Sequence, residues 1–178
     1  DPAYFTTIVL SQDGAFITIS TDAHETSEVR LIDPDRPEAP PRVVEPRREG
    51  VQYDLDHHAG RFVLSTNADG AKDFKLVTAP VATPGRAHWV DLVAHEPGRL
   101  ISDFTCYRDH LVWQERKDAV PALMIRRWSD GAAHTITFDE ASYALSFEDG
   151  DDHDTTSLRF TYSSLTTPQE TWAYDMES

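Results

Sequence analysis

The chain is poor in the residues that usually announce a chemistry. It holds one cysteine, Cys106, in 178 residues, which excludes internal disulfides and CxxC metal sites. No apolar run approaches the roughly 18–20 residues that a membrane-crossing helix requires, and no signal peptide is visible. Only 16 Lys and Arg stand against 31 Asp and Glu, a formal charge of −15. Nucleic acid is a poor partner for such a chain, because phosphate binding needs a basic face. None of the eight glycines sits in a G-x-S-x-G elbow, a P-loop or a G-x-G-x-x-G turn, and there is no H-E-x-x-H. No serine is marked as a nucleophile, and the carboxylates are too many to single out an acid/base pair. No cofactor is expected, and alone the chain is expected to catalyse nothing.

What is present is a repeat. Phe62-Val63-Leu64-Ser65 has counterparts in Phe16-Ile17-Thr18-Ile19, Leu111-Val112-Trp113-Gln114 and Leu158-Arg159-Phe160-Thr161, at offsets of 46, 49 and 47 residues. Each follows a turn: Gln12-Asp13-Gly14, Ala59-Gly60, Arg108-Asp109 and the longer 148–156 stretch. The clearest copy runs from Val51 to Glu96, with strands expected at Val51–His58, Arg61–Asn67, Phe74–Ala79 and Trp89–His95. A period of about 40–50 residues with four strands per copy predicts an all-β fold, a β-propeller fragment of three and a half to four blades. The competing architecture is an irregular β-sandwich, whose strands need not recur in fours. The blades are expected at 4–47, 51–96, 99–138 and, incomplete, 143–176, together one partial propeller domain. The abrupt start inside a strand-rich region suggests a piece excised from a longer protein.

Individual residues refine this. Four prolines between Pro34 and Pro41 predict an extended loop, with a short outer strand at Val43–Pro46. Lys117–Pro121 is expected to turn the third copy, and Trp128-Ser129-Asp130-Gly131 reads as a hairpin. Alternation in the second copy puts Val51, Tyr53 and Leu55 on one face and Gln52, Asp54 and Asp56 on the other. The first strand of a propeller blade usually lines the central channel, so Asp54 and Asp56 are the candidate substrate-steering residues. His57-His58 is a poor metal chelate, since strand neighbours point to opposite faces. The acidic run 149–154 lacks EF-hand spacing, with Phe160 where the bidentate Glu belongs. Trp113 and Trp128 read as blade packing, and Cys106 as a small buried hydrophobe that suits a reduced, cytoplasmic setting.

Thr26–Asp33, Pro46-Arg47-Arg48, Tyr53–His57 and above all Tyr162-Ser163-Ser164-Leu165-Thr166-Thr167-Pro168 with Trp172–Met176 resemble one protein family. They are similar to the propeller of the prolyl oligopeptidase family of serine peptidases, in its oligopeptidase B (protease II) branch. The resemblance runs through essentially the whole chain. It implies a seven-bladed propeller joined to an α/β-hydrolase domain with a Ser-Asp-His triad, the propeller admitting only short peptides. It further implies cleavage after Arg or Lys, so the acidic charge could draw basic peptides inward. No triad, oxyanion or specificity residue of that family maps onto this sequence. The expected partners are the peptidase domain of a parent chain and short basic peptides. The alternatives are a stand-alone propeller-like binding module for peptides or proteins, and a propeller enzyme such as a glycosidase or lactonase. An excised arc of blades is expected to dimerise through its open apolar faces or to close up with altered blade angles.

Overall fold

The computed structural model describes residues 4–147 and 152–178. It is built almost wholly of strands, in four antiparallel meanders. The first holds β1 (Phe5–Leu10), β2 (Ile17–Ala23), β3 (Thr26–Ile32) and β4 (Arg42–Val43). The second holds β5 (Tyr53–His58), β6 (Arg61–Thr66), β7 (Lys75–Pro80) and β8 (Val90–Val93). The third holds β9 (Arg99–Cys106), β10 (His110–Lys117), β11 (Val120–Arg127) and β12 (Ala133–Ile136). The fourth has three strands among the described residues, β13 (Tyr143–Phe147), β14 (Ser157–Ser164) and β15 (Glu170–Asp175). Every sheet runs in simple sequence order, the arrangement of propeller blades.

The hairpins explain the register. Ala59 and Gly60 both adopt positive φ, as do Asp118 and Ala119. Two successive left-handed residues make the primed turn whose twist matches the flanking strands. The second pair corrects the expected turn at Lys117–Pro121. Lys117 pairs with Val120 and Arg116 with Pro121, so only Asp118 and Ala119 lie outside the ladder. The outer strand expected at Val43–Pro46 is likewise shorter, Arg42–Val43, bounded by Pro40, Pro41 and Pro46, which cannot donate to a ladder.

The chain divides into two compact units, Asp1–Pro97 and Gly98–Ser178. In the first, Val29, Leu31, Val44, Tyr53, Leu55, Phe62, Leu64, Val77 and Ala79 form one buried core shared by the two sheets. Polar groups join the sheets as well. The Ser27 hydroxyl donates to the Tyr53 carbonyl at 2.7 Å and accepts from the Tyr53 amide at 2.6 Å. The Tyr53 hydroxyl, reaching back, accepts from the Val29 and Glu45 amides and donates to the Glu45 carbonyl at 2.6 Å. Burial pushes the Tyr53 phenol up to about 12, with the nearby Glu28 and Glu45 carboxylates adding to the rise and the Val29 and Glu45 amides opposing it. In contrast, β1 leaves Phe5, Ile8, Val9 and Leu10 exposed, Phe5 by 81%.

In the second unit the core gathers Val112, Leu123, Ile125, Leu145, Phe147, Leu158, Phe160, Tyr162 and Met176. Phe138 stacks on Tyr162 with centroids 4.2 Å apart, and Trp172 lies parallel to Phe160 at 6.5 Å. Cys106 is fully buried in this unit. Trp113 is buried with its indole N–H on Glu115, and Trp128 donates to the Tyr107 carbonyl, so both indoles are packing elements.

Candidate functional site

The first strands of the blades carry the candidate residues, and β5 is the best defined. Its alternation holds only at the start. Tyr53 and Leu55 are buried and Asp54 is exposed, but Asp56 and His57 are both buried. The cause lies in the preceding blade, whose β1–β2 turn covers the end of β5. Asp56, only 8% exposed, accepts the Gln12 amide at 2.9 Å and its neighbour His57's amide at 2.8 Å through Oδ1. Asp13 of that turn accepts the Ser11 hydroxyl and the Ala15 amide through Oδ1. Its Oδ2 meets His57 Nδ1 at 2.6 Å. Burial raises the Asp13 carboxyl, but the Ala15 amide, His57 and the Ser11 hydroxyl together outweigh it and hold it below the ordinary range. An ionised carboxylate only accepts, so Nδ1 of His57 carries the proton. The ring stands edge-on to Phe16 at 5.0 Å and to Phe62 at 5.6 Å. His57 is thus committed to joining two blades.

The two predicted steering residues therefore differ in environment. Asp54 is exposed, its Oδ1 accepting the Leu55 amide at 2.8 Å, while Asp56 serves the backbone of a buried joint. The repeat supplies a counterpart to Asp54 that reading the second copy by itself misses. Asp54 pairs with Ser65, and one copy later Asp103 pairs with Gln114. Asp103 caps the Phe104 amide at 2.8 Å, as Asp54 caps Leu55. The equivalent places are Ile8 in the first blade and Ser146 in the fourth. Burial pushes the Asp103 carboxyl up, only partly offset by the Phe104 amide, although its side chain is exposed to water. The two observations agree if protein closely surrounds the group without covering it. The 49-residue offset between copies was the available signal.

Other polar clusters have structural duties. Glu140 accepts the hydroxyls of Tyr162 at 2.7 Å, Thr166 at 2.9 Å and Thr167 at 3.2 Å. Hydrogen bonds from Ser164, Tyr162 and Thr166 lead the causes that hold its carboxyl at about 2. The Tyr162–Pro168 stretch is thus a folding signature, pinned by one carboxylate. A cleft of about 720 Å³ in the first unit is flanked by the proline-rich loop, and Arg36 and Arg42 line it. Both arginines are engaged, Arg36 with Asp33 and Arg42 with the Val81 carbonyl. Among the described residues no group of three or more His, Cys, Asp and Glu is placed to hold a metal ion. Of the acidic run, 149–151 lies outside the described residues; Asp154 pairs with Arg108 at 3.3 Å.

Comparison with known proteins decides the family. The model of the prolyl oligopeptidase N-terminal beta-propeller domain matches residues 1–178, the whole chain. The chain belongs to that family. A dipeptidyl aminopeptidase BI from Pseudoxanthomonas mexicana is 35% identical over 97% of the chain, which spans 24% of that relative. Protease 2 of Moraxella lacunata is 28% identical over the whole chain, which spans 25% of it. Among solved structures, oligopeptidase B from Trypanosoma brucei, in its closed form with covalently bound antipain, superposes with a TM-score of 0.92 at 26% identity. The chain is covered completely and spans 26% of that structure. This S9-type propeller thus spans about a quarter of the length of the relatives it matches.

Proposed function

We propose that this propeller belongs to a serine oligopeptidase and governs access of short basic peptides to a separate α/β-hydrolase domain that cleaves after Arg or Lys. The carrying observation is the full-length match to the propeller domain, joined to likeness with oligopeptidase B. The propeller contributes no nucleophile and is inactive by itself. The exposed apolar strand β1 is then a face on which further blades of the parent pack. Steering of cationic substrates falls to Asp54 and Asp103, with the overall −15 charge supplying the field. Asp56 adds charge to that field but is already held by two amides.

Replacing both Asp54 and Asp103 by Asn keeps the oxygen that caps the following amide and removes the charge. In the full-length parent, kcat/KM for an Arg-containing peptide should fall by roughly 3–10-fold at low salt, chiefly through KM. The difference should shrink as salt is raised toward 0.15 M, where the Debye length is about 8 Å. An unchanged kcat/KM with an unchanged salt slope contradicts the steering role. The 35% identical relative favours a second reading, removal of dipeptides from free N-termini, in which the attracted cation is the substrate's terminal ammonium. Blocking the substrate's N-terminus abolishes cleavage in that case and not in the first.

A further inference from the structure

His110 opens β10, opposite Arg127 at the end of β11. It is 1% exposed, and neither ring nitrogen has a hydrogen-bond partner among the described residues. Its charged surroundings come from every element packed there. Nε2 lies 3.4 Å from Oε1 of Glu177, whose other oxygen is 3.8 Å from Arg127 Nη2. Asp109 precedes it in the turn, and His134 of β12 also acts on it electrostatically. His134 in turn meets the Tyr174 hydroxyl of β15 at 3.1 Å. The segment after β15 is thereby held against the third blade. Met176 is fully buried with its amide on the Thr156 carbonyl, and Glu177 follows it.

We propose that His110 is an acid-sensitive pin, whose protonation loosens the hold of the third blade on the segment Met176–Ser178. A neutral imidazole is tolerated in this site. A charged one is desolvated beside the Arg127 guanidinium, and the half-exposed Glu177 carboxylate is shared between the two cations. Burial lowers the His110 basicity first, Arg127 and His134 add to that, and Glu177 and Asp109 oppose it, leaving it below the ordinary value. Once the segment lifts away, the ring regains water and titrates near its usual value of about 6.5. The opened form therefore binds the proton more tightly, and falling pH favours opening.

Amide hydrogen exchange of the chain, corrected for intrinsic rates, reads this directly. Protection at Met176 should drop between about pH 7.5 and pH 5.5 by up to about tenfold, the ceiling for one proton over the unit below the free value. The core amide of Ile125 should keep its protection over the same range. His110→Phe should abolish the pH dependence at Met176. Should that variant not fold, Glu177→Gln decides: losing the carboxylate that favours the cation should deepen the low-pH loss. Flat protection in the unmodified chain, an unaltered pH dependence in His110→Phe, or an unaltered or shallower one in Glu177→Gln overturns the proposal.

Discussion

Tyr53→Phe should destabilise the first unit by about 2–3 kcal/mol, although it deletes one oxygen atom. That oxygen accepts the amides of Val29 and Glu45 and donates to the Glu45 carbonyl. Val29 is wholly buried, so its amide has no water to turn to. The loss is thus the cost of an orphaned buried donor, larger than the net value of an ordinary hydrogen bond. Tyr53 belongs to the second blade and Val29 to the first, so the effect reports the joint between them. Urea unfolding should show a lowered midpoint with little change in slope. Tyr4→Phe, at an exposed ring that keeps its contact with Arg47, should change stability by less than about 0.5 kcal/mol. Equal small effects at both positions would mean that apolar packing alone holds the blades together.

Phe160→Ala should cost more, about 3–5 kcal/mol. Phe160 is 2% exposed at the centre of the fourth blade, lying parallel to Trp172 and edge-on to Phe138. Truncation leaves a cavity walled by rings that cannot collapse into it, because Phe138 is already stacked on Tyr162. Leu165, 97% exposed on the neighbouring loop, provides the contrast, and Leu165→Ala should be close to neutral. A loss below about 1 kcal/mol for Phe160→Ala would show that the fourth blade is loosely packed.

The fold was legible because a propeller writes itself locally. Alternation, Gly-containing turns and the recurrence of Phe62-Val63-Leu64-Ser65 each reflect contacts between neighbours in sequence, and the structure holds four antiparallel sheets in simple sequence order. The errors fell where distant residues intervene. Alternation within β5 puts Asp56 on the open face, but the turn at Ser11–Phe16 lies over that end and turns the carboxylate into a backbone partner. The turn expected at Lys117–Pro121 narrows to Asp118 and Ala119, because Lys117, Val120 and Pro121 keep their places in the ladder between β10 and β11. Asp103 needed the register of one blade carried onto the next. His110 gave no local signal, since its meaning depends on Glu177 arriving from the other end of the unit. The Tyr162–Pro168 stretch, which carries the strongest family resemblance, is the end of β14 and the loop after it, pinned by Glu140.

The most direct test of the central claim compares this chain with a full-length parent on a chromogenic, N-terminally blocked Arg-Arg peptide amide. Cleavage by the parent and none by the 178-residue chain is the expected result, a propeller severed from its peptidase domain. Cleavage by neither would contradict the basic-peptide assignment, favouring the dipeptidyl aminopeptidase reading if an unblocked substrate is cut and a binding module if it is not. Activity in this chain alone would contradict the account at its root.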